Sequence, residues 1–228
     1  MAVLLTVLFP ALLWGGYHYY RDRRRPEPIT HALLAIAAGI AAGWLGQWLY
    51  RALAWLGLWQ DAYALAREDL VGLLIYAVLG IGLIEETAKL VPFLLLALSL
   101  KAFDERVDGI IYAGLVALGF AAYENVLYLE FATPGENVAR AITGPLVHIV
   151  FASLWGYPVG CAVLARAVLW WPIIQGFSAS ILIHGVYDFC VLGLPGWARV
   201  VAAAMIVGVW LRKVHLIEYV LGGRSHSA

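Results

Sequence analysis

Long apolar runs broken by short polar segments set the pattern of this chain. A membrane-crossing helix needs about 20 apolar residues, and runs of that kind occupy 1–20, 29–50, 70–100, 109–131, 141–165, 170–194 and 196–215. The pattern predicts an all-α, polytopic membrane bundle of about seven transmembrane helices, with residues 1–228 forming one membrane domain. Arg51 to Trp59 is apolar but short, and Trp55 and Trp59 lie at its wet end, so it reads as an interfacial segment, with an eighth span there as the alternative. Residues 1–20 carry no basic residues at their start, and Arg21, Arg23, Arg24 and Arg25 follow them, which predicts a retained first helix with its N-terminus outside. That topology puts the C-terminus in the cytoplasm. It places those four arginines inside with Lys101, Arg106, Arg166, Arg212, Lys213 and Arg224, leaving Arg51, Arg67, Arg140 and Arg199 outside, the asymmetry of the positive-inside rule.

Composition fits a membrane protein and no other class: 63% of residues are hydrophobic, 13% are charged and mean hydropathy is +0.83. Formal charge is zero, so the chain offers no basic field to nucleic acid. Cys161 and Cys190 lie inside apolar runs, where a thiol packs as a small hydrophobe, and neither a disulfide nor a cysteine metal site is expected. Gly39 with Gly43 and Gly156 with Gly160 have the spacing of close helix contacts, within one chain or between chains. Pro92 and Pro145 loosen the backbone ladder beside polar residues.

Those polar residues carry the functional signal. Glu85, Glu86 and Lys89 fall inside the 70–100 run, Glu124 and His148 in the next two, and His184 with Asp188 in the sixth. A lone charge at the bilayer centre costs roughly 2.5–3.5 kcal/mol on insertion scales, so these groups must converge on one another and on water. Helical spacing allows it. Lys89 follows Glu86 by three residues and Glu85 by four, so it can lie beside either, and His184 and Asp188 share a face. At about 1.5 Å per residue, Glu124, His148 and His184 fall about 10–15 Å from the outer ends of their spans and Glu85 deeper, at roughly 20 Å. Trp and Tyr residues at span ends read as interfacial anchors.

No serine occupies a nucleophile elbow; Ser180 is the one serine near the polar face of its helix. Carboxylates and imidazoles without a nucleophile suit the activation of water. In one version a glutamate takes the proton while His or Lys stabilises the oxyanion. In the other, His148, His184 and a carboxylate such as Glu124 ligate zinc, and Glu85 or Glu86 is the base. A proton-coupled transporter and a non-catalytic scaffold use similar residues, but transporters commonly show paired halves with matching broken helices, and the sequence has no internal repeat.

Glu85-Glu86-x-x-Lys89, Phe120-x-x-x-Glu124 and His184-x-x-x-Asp188, in that order on successive spans, resemble the three motifs of the PrsW family of bacterial intramembrane proteases. The related prenyl-protein CAAX endopeptidases have Arg for the lysine, His for the Glu124 position and Asn for the aspartate; this chain takes the PrsW residue at each. Tyr19-Tyr20-Arg21-Asp22, Pro26-Glu27-Pro28, Phe103-Asp104-Glu105, Asp108-Gly109 and Arg140 with His148 extend the likeness, while Arg106-Val107 replaces an expected proline. The resemblance implies a multi-pass endopeptidase of the bacterial inner membrane. Its substrate would be a membrane-anchored protein cut near the outer face, as in site-one cleavage of an anti-sigma factor. It further implies Glu85 as base, Glu124 as its assistant, His184 and Asp188 on the oxyanion side and Glu86 with Lys89 as supporting ion pair, with or without a metal.

Overall fold

The computed structural model describes residues 9–21, 26–167 and 169–222, and among them the secondary structure is helical throughout. The helices are α1 (Phe9–Arg21), α2 (Ile29–Trp55), α3 (Ala62–Glu68), α4 (Leu70–Tyr76), α5 (Leu83–Ser99), α6 (Asp108–Tyr128), α7 (Pro134–Ala165), α8 (Trp170–Gly193) and α9 (Ala198–Gly222). A π-helical stretch, Ala77–Gly82, joins α4 to α5 into one continuous rod. Six rods among the described residues are long and apolar enough to cross a membrane: Ile29–Trp55, Leu70–Ser99, Asp108–Tyr128, Pro134–Ala165, Trp170–Gly193 and Ala198–Tyr219. They match six of the predicted spans. The remaining one, 1–20, continues as α1 from Phe9, and its first eight residues lie outside the described ones, as do Arg23, Arg24, Arg25 and Arg224.

Two boundaries correct the sequence reading. Arg51–Trp55 is the last part of α2 rather than a separate interfacial or eighth span; the chain then turns at Gly57, with φ at 70°, into the short α3, capped by Asp61. Helix α7 starts earlier than residue 141, because Thr133 and Glu136 form a reciprocal capping box with Pro134 at the first helical position. Arg140 is therefore a helical residue held in register with His148, not a loop residue.

Helix α6 is the axis of the bundle, buried along nearly its whole length, with α2, α5 and α7 against it. Small residues permit this: a Cβ on Gly119 would sit 2.0 Å from the Ile36 carbonyl oxygen, and one on Gly156 2.5 Å from that of Gly109. Gly39 and Gly156 thus serve contacts within the chain. On the other face, Phe93, Ile110, Tyr112, Ile149 and Trp155 form a dense core, with the Phe93 and Trp155 rings 5.0 Å apart edge to face. Before α2, outside the spans, Glu27 accepts a hydrogen bond from Tyr112, and burial pushes its carboxyl above the ordinary range. Cys161 and Cys190 are free thiols. Trp55, Trp59, Trp170, Trp171 and Trp197 are exposed near helix ends, where interfacial anchors belong.

The α2–α6 crossing yields a stability test. Gly119→Val drives a branched side chain into backbone and should cost about 1–3 kcal/mol or more, read as a lower thermal midpoint in detergent, whereas Gly16→Ala, within α1 and with open space around it, should hold or slightly raise the midpoint.

Candidate active site

The predicted polar residues come from four rods and meet in one place. Glu85, Glu86 and Lys89 stand on the first turns of α5, immediately after the π-helical stretch. Such a stretch carries an extra residue per turn and is recurrent at functional sites. Here two glycines bring it against α8: a Cβ on Gly82 would lie 2.6 Å from the Ile181 carbonyl, and one on Gly185 2.4 Å from the Val78 Cα. His184, next to Gly185, is thereby carried up to the glutamates.

Glu86 is fully buried and saturated. Its Oε1 accepts from Lys89 Nζ and, at 2.8 Å, from His184 Nδ1; its Oε2 accepts from Trp155 Nε1 at 2.8 Å and from Ser180 Oγ at 2.7 Å. A carboxylate has about four lone-pair sites, and all are taken. Lys89, also sealed from solvent, chooses Glu86 over Glu85, faces His148 Nδ1 at 3.2 Å and lies 5.0 Å from the centre of the Phe120 ring. The phenylalanine one turn before Glu124 therefore serves the lysine.

Glu85 is buried but less committed. Tyr50, from the last turns of α2, donates to its Oε1 at 3.1 Å, while its Oε2 has no hydrogen-bond partner. That oxygen lies 3.6 Å from His184 Nε2 and 4.0 Å from His148 Nδ1. Glu124 spends both oxygens, accepting from Arg140 Nη2 and His148 Nε2, each at 2.8 Å. Asp188 shares a face with His184, but its Oδ2 stands 3.6 Å from Nε2, beyond hydrogen-bond distance, and has no partner. The carboxylate that orients His184 is thus Glu86, on another helix.

These partners set the imidazole hydrogens. A carboxylate only accepts and an ammonium only donates, so His184 donates from Nδ1 to Glu86, and His148 donates from Nε2 to Glu124 while its Nδ1 faces Lys89. In its neutral form His184 turns an unprotonated Nε2 toward Glu85, while the unprotonated Nδ1 of His148 lies 3.2 Å from Lys89 Nζ and 4.0 Å from Glu85 Oε2. One ligand atom each from Glu85, His148 and His184 lies within 4.8 Å of the others, an arrangement that could hold a metal ion. Glu85 takes the position in this trio that the sequence reading gave to Glu124. The trio also has the outer hydrogen bonds to carboxylates that fix metal-binding histidines. The charges leave room for an ion as well: Glu85, Glu86, Glu124 and Asp188 face two permanent cations, Lys89 and Arg140. With both imidazoles neutral the cluster is two negative charges in excess, which one divalent cation or two protons would balance.

Sequence reasoning missed Tyr50, Trp155 and the bonding role of Ser180. Arg140, which the sequence gives no partner, pairs with Glu124. None of the four carries a motif; the buried acceptors Glu85, Glu86 and Glu124 are their one signal, since each must find donors somewhere in the fold.

A family model described as PrsW family intramembrane metalloprotease matches residues 27–212. Curated relatives are the Protease PrsW of Geobacillus kaustophilus, 30% identical over 90% of this chain and 87% of the relative, and that of Bacillus subtilis, 26% identical over 93% and 94%. The Protease PrsW of Oceanobacillus iheyensis is 28% identical over 96% and 95%. No solved structure matches the chain. With its three motifs gathered in one buried cluster and the family's pattern running through most of its length, this multi-pass membrane peptidase belongs to the PrsW family.

Proposed function

We propose that the protein hydrolyses a peptide bond of a membrane-anchored protein, with Glu85 taking the proton from the attacking water. The contrast between adjacent glutamates carries this reading: Glu86 is saturated, whereas Glu85 keeps a partnerless oxygen beside two imidazoles. Water held against Glu85 Oε2 gives up its proton as its oxygen attacks the substrate carbonyl. The same proton then passes to the departing nitrogen, so Glu85 acts as base and afterwards as acid. Glu124 keeps His148 in place, and His184, braced through Nδ1 by Glu86, takes a second proton on Nε2 and donates it to the developing oxyanion, with Asp188 at 3.6 Å stabilising the imidazolium. Glu86 and Lys89 are the fixed ion pair behind them. Membership of a protease family favours this chemistry over proton transport or a scaffold role.

In the metal-dependent form, Glu85, His148 Nδ1 once released from Lys89, and His184 Nε2 would hold a divalent ion, zinc by the nature of the donors, which would supply Lewis acidity to the water or the carbonyl, with Glu85 then a ligand rather than the free base. The wetter groups, Glu124 and Asp188, lie toward the end of the bundle that holds the C-termini of α6 and α8 and the N-terminus of α7. With the N-terminus outside, that end faces the outer surface, so cleavage falls in the outer half of the membrane, in an inner membrane of the kind the bacterial relatives suggest.

In proteoliposomes, the purified chain should cut a single-span reporter near its outer boundary, and Glu85→Gln should slow cleavage by about 10²–10⁴-fold; full-rate cleavage by that variant overturns the assignment. Elemental analysis of tag-free protein should find about one zinc per chain, lost in His148→Ala and His184→Ala, while fully active metal-free protein would leave the trio a metal-free site. Lys89→Met strands the Glu86 charge and should cost about 3–5 kcal/mol in detergent unfolding, with part of the loss recovered in the double variant Glu86→Leu/Lys89→Met.

A further inference from the structure

Arg140 is the outermost charged group of the cluster. Its side chain keeps 32% of its surface exposed, against 19% for Glu124 and 9% for Glu85. Arginine has five N–H donors, and this one spends a single bond, from Nη2 to Glu124 at 2.8 Å. Nε is buried with no partner, whereas Nη1 is not sealed from the surface and has no hydrogen-bond partner among the described residues. The head is also immobilised, because it lies 3.4 Å over the Tyr128 ring while Glu124 holds its edge. A cation that only neutralised Glu124 would not need the second clamp. A fixed guanidinium with donors to spare at the exposed edge of the polar cluster is organised to receive something.

We propose that Arg140 anchors the substrate, donating to an oxygen acceptor of the bound chain near the scissile bond. The proposal rests on the hydrolytic reading above. Glu124 alone separates Arg140 from His148, with 2.8 Å contacts on both sides. Glu85 Oε2 lies a further 4.0 Å beyond His148 Nδ1, so along an extended chain, which rises about 3.3 Å per residue, the acceptor lies a few residues from the bond being cut. It is a backbone carbonyl or an acidic side chain; in a cluster with excess negative charge, Arg140 is the exposed point where an acidic group is welcome.

Arg140→Lys keeps a cation beside Glu124 but removes the planar fork. In the inactive Glu85→Gln background it should weaken binding of the uncut single-span reporter by roughly 10-fold or more. In the active background it should raise KM by a similar factor with kcat nearly unchanged. Tyr128→Leu, which frees the head, should shift both in the same direction by less. Reporters whose acidic residues near the cut are replaced by Asn or Gln separate the acceptors: they lose sensitivity to Arg140→Lys if a carboxylate is gripped and keep it if a carbonyl is. A fall in kcat with reporter affinity and KM unaltered overturns the anchor and makes Arg140 a positioning residue for Glu124. Failure of the wild-type chain to cut the reporter overturns the hydrolytic reading instead, while cleavage that does not depend on Glu85 overturns its role as base.

Discussion

One buried carboxylate organises the polar interior. Glu86 joins α5, α7 and α8 through Lys89, Trp155, Ser180 and His184. Withdrawing a carboxylate and an ammonium from water costs several kcal/mol per ion, and attraction repays this only when the remaining lone pairs and protons are satisfied. Here they are: every acceptor site of Glu86 is filled, and Lys89 divides its donors among Glu86, His148 and the Phe120 face. The hub also turns His184 so that Nδ1 is bonded inward and Nε2 faces Glu85. The ion pair therefore fixes the geometry of the site more than it adds to stability.

The neighbouring glutamate gains its character from this arrangement. Consecutive helical residues point about 100° apart, so a rod that buries Glu86 among donors presents Glu85 to a different set of neighbours. Tyr50 steadies one oxygen of Glu85 and leaves the other open beside both histidines. The two imidazoles are in turn held from behind by Glu86 and Glu124. A group meant to accept a proton or share an ion needs a free lone pair and rigid company, and Glu85 combines the two.

Much of this was legible in the sequence, because an ionisable residue in an apolar run announces itself. The spans, the three motifs and the need for convergence all follow from that one expense. The partners were harder to read. His184 and Asp188 share a helical face, and that local relation points to Asp188 as the orienting carboxylate. The actual partner lies 98 positions away, since helix rotation is set by tertiary packing. Trp155 was hidden for a related reason: tryptophans mark interfaces when they stand at span ends, and this one stands in the core with its indole N–H on Glu86. The π-helical stretch left no periodic trace either. Gly82 and Gly185 look like ordinary small residues until the close approach of α8 to the rod is seen.

A hydrolase inside a bilayer must admit water to the base without flooding the ion pair that holds the base's surroundings. The gradient of exposure in this cluster meets that demand. Glu86 and Lys89 are sealed, His184 and His148 nearly so, Glu85 retains a trace of accessibility, and Glu124, Asp188 and Arg140 are the wettest. Outside the saturated hub, Glu85 and Asp188 each keep one unfilled oxygen, while Glu124 is held by Arg140 and His148. Partial solvation lowers the cost of the outer charges, while complete bonding offsets the cost of the inner ones. In the proposed hydrolysis, the ordering that lets the fold tolerate four carboxylates also leaves Glu85 the group with capacity for the reactant.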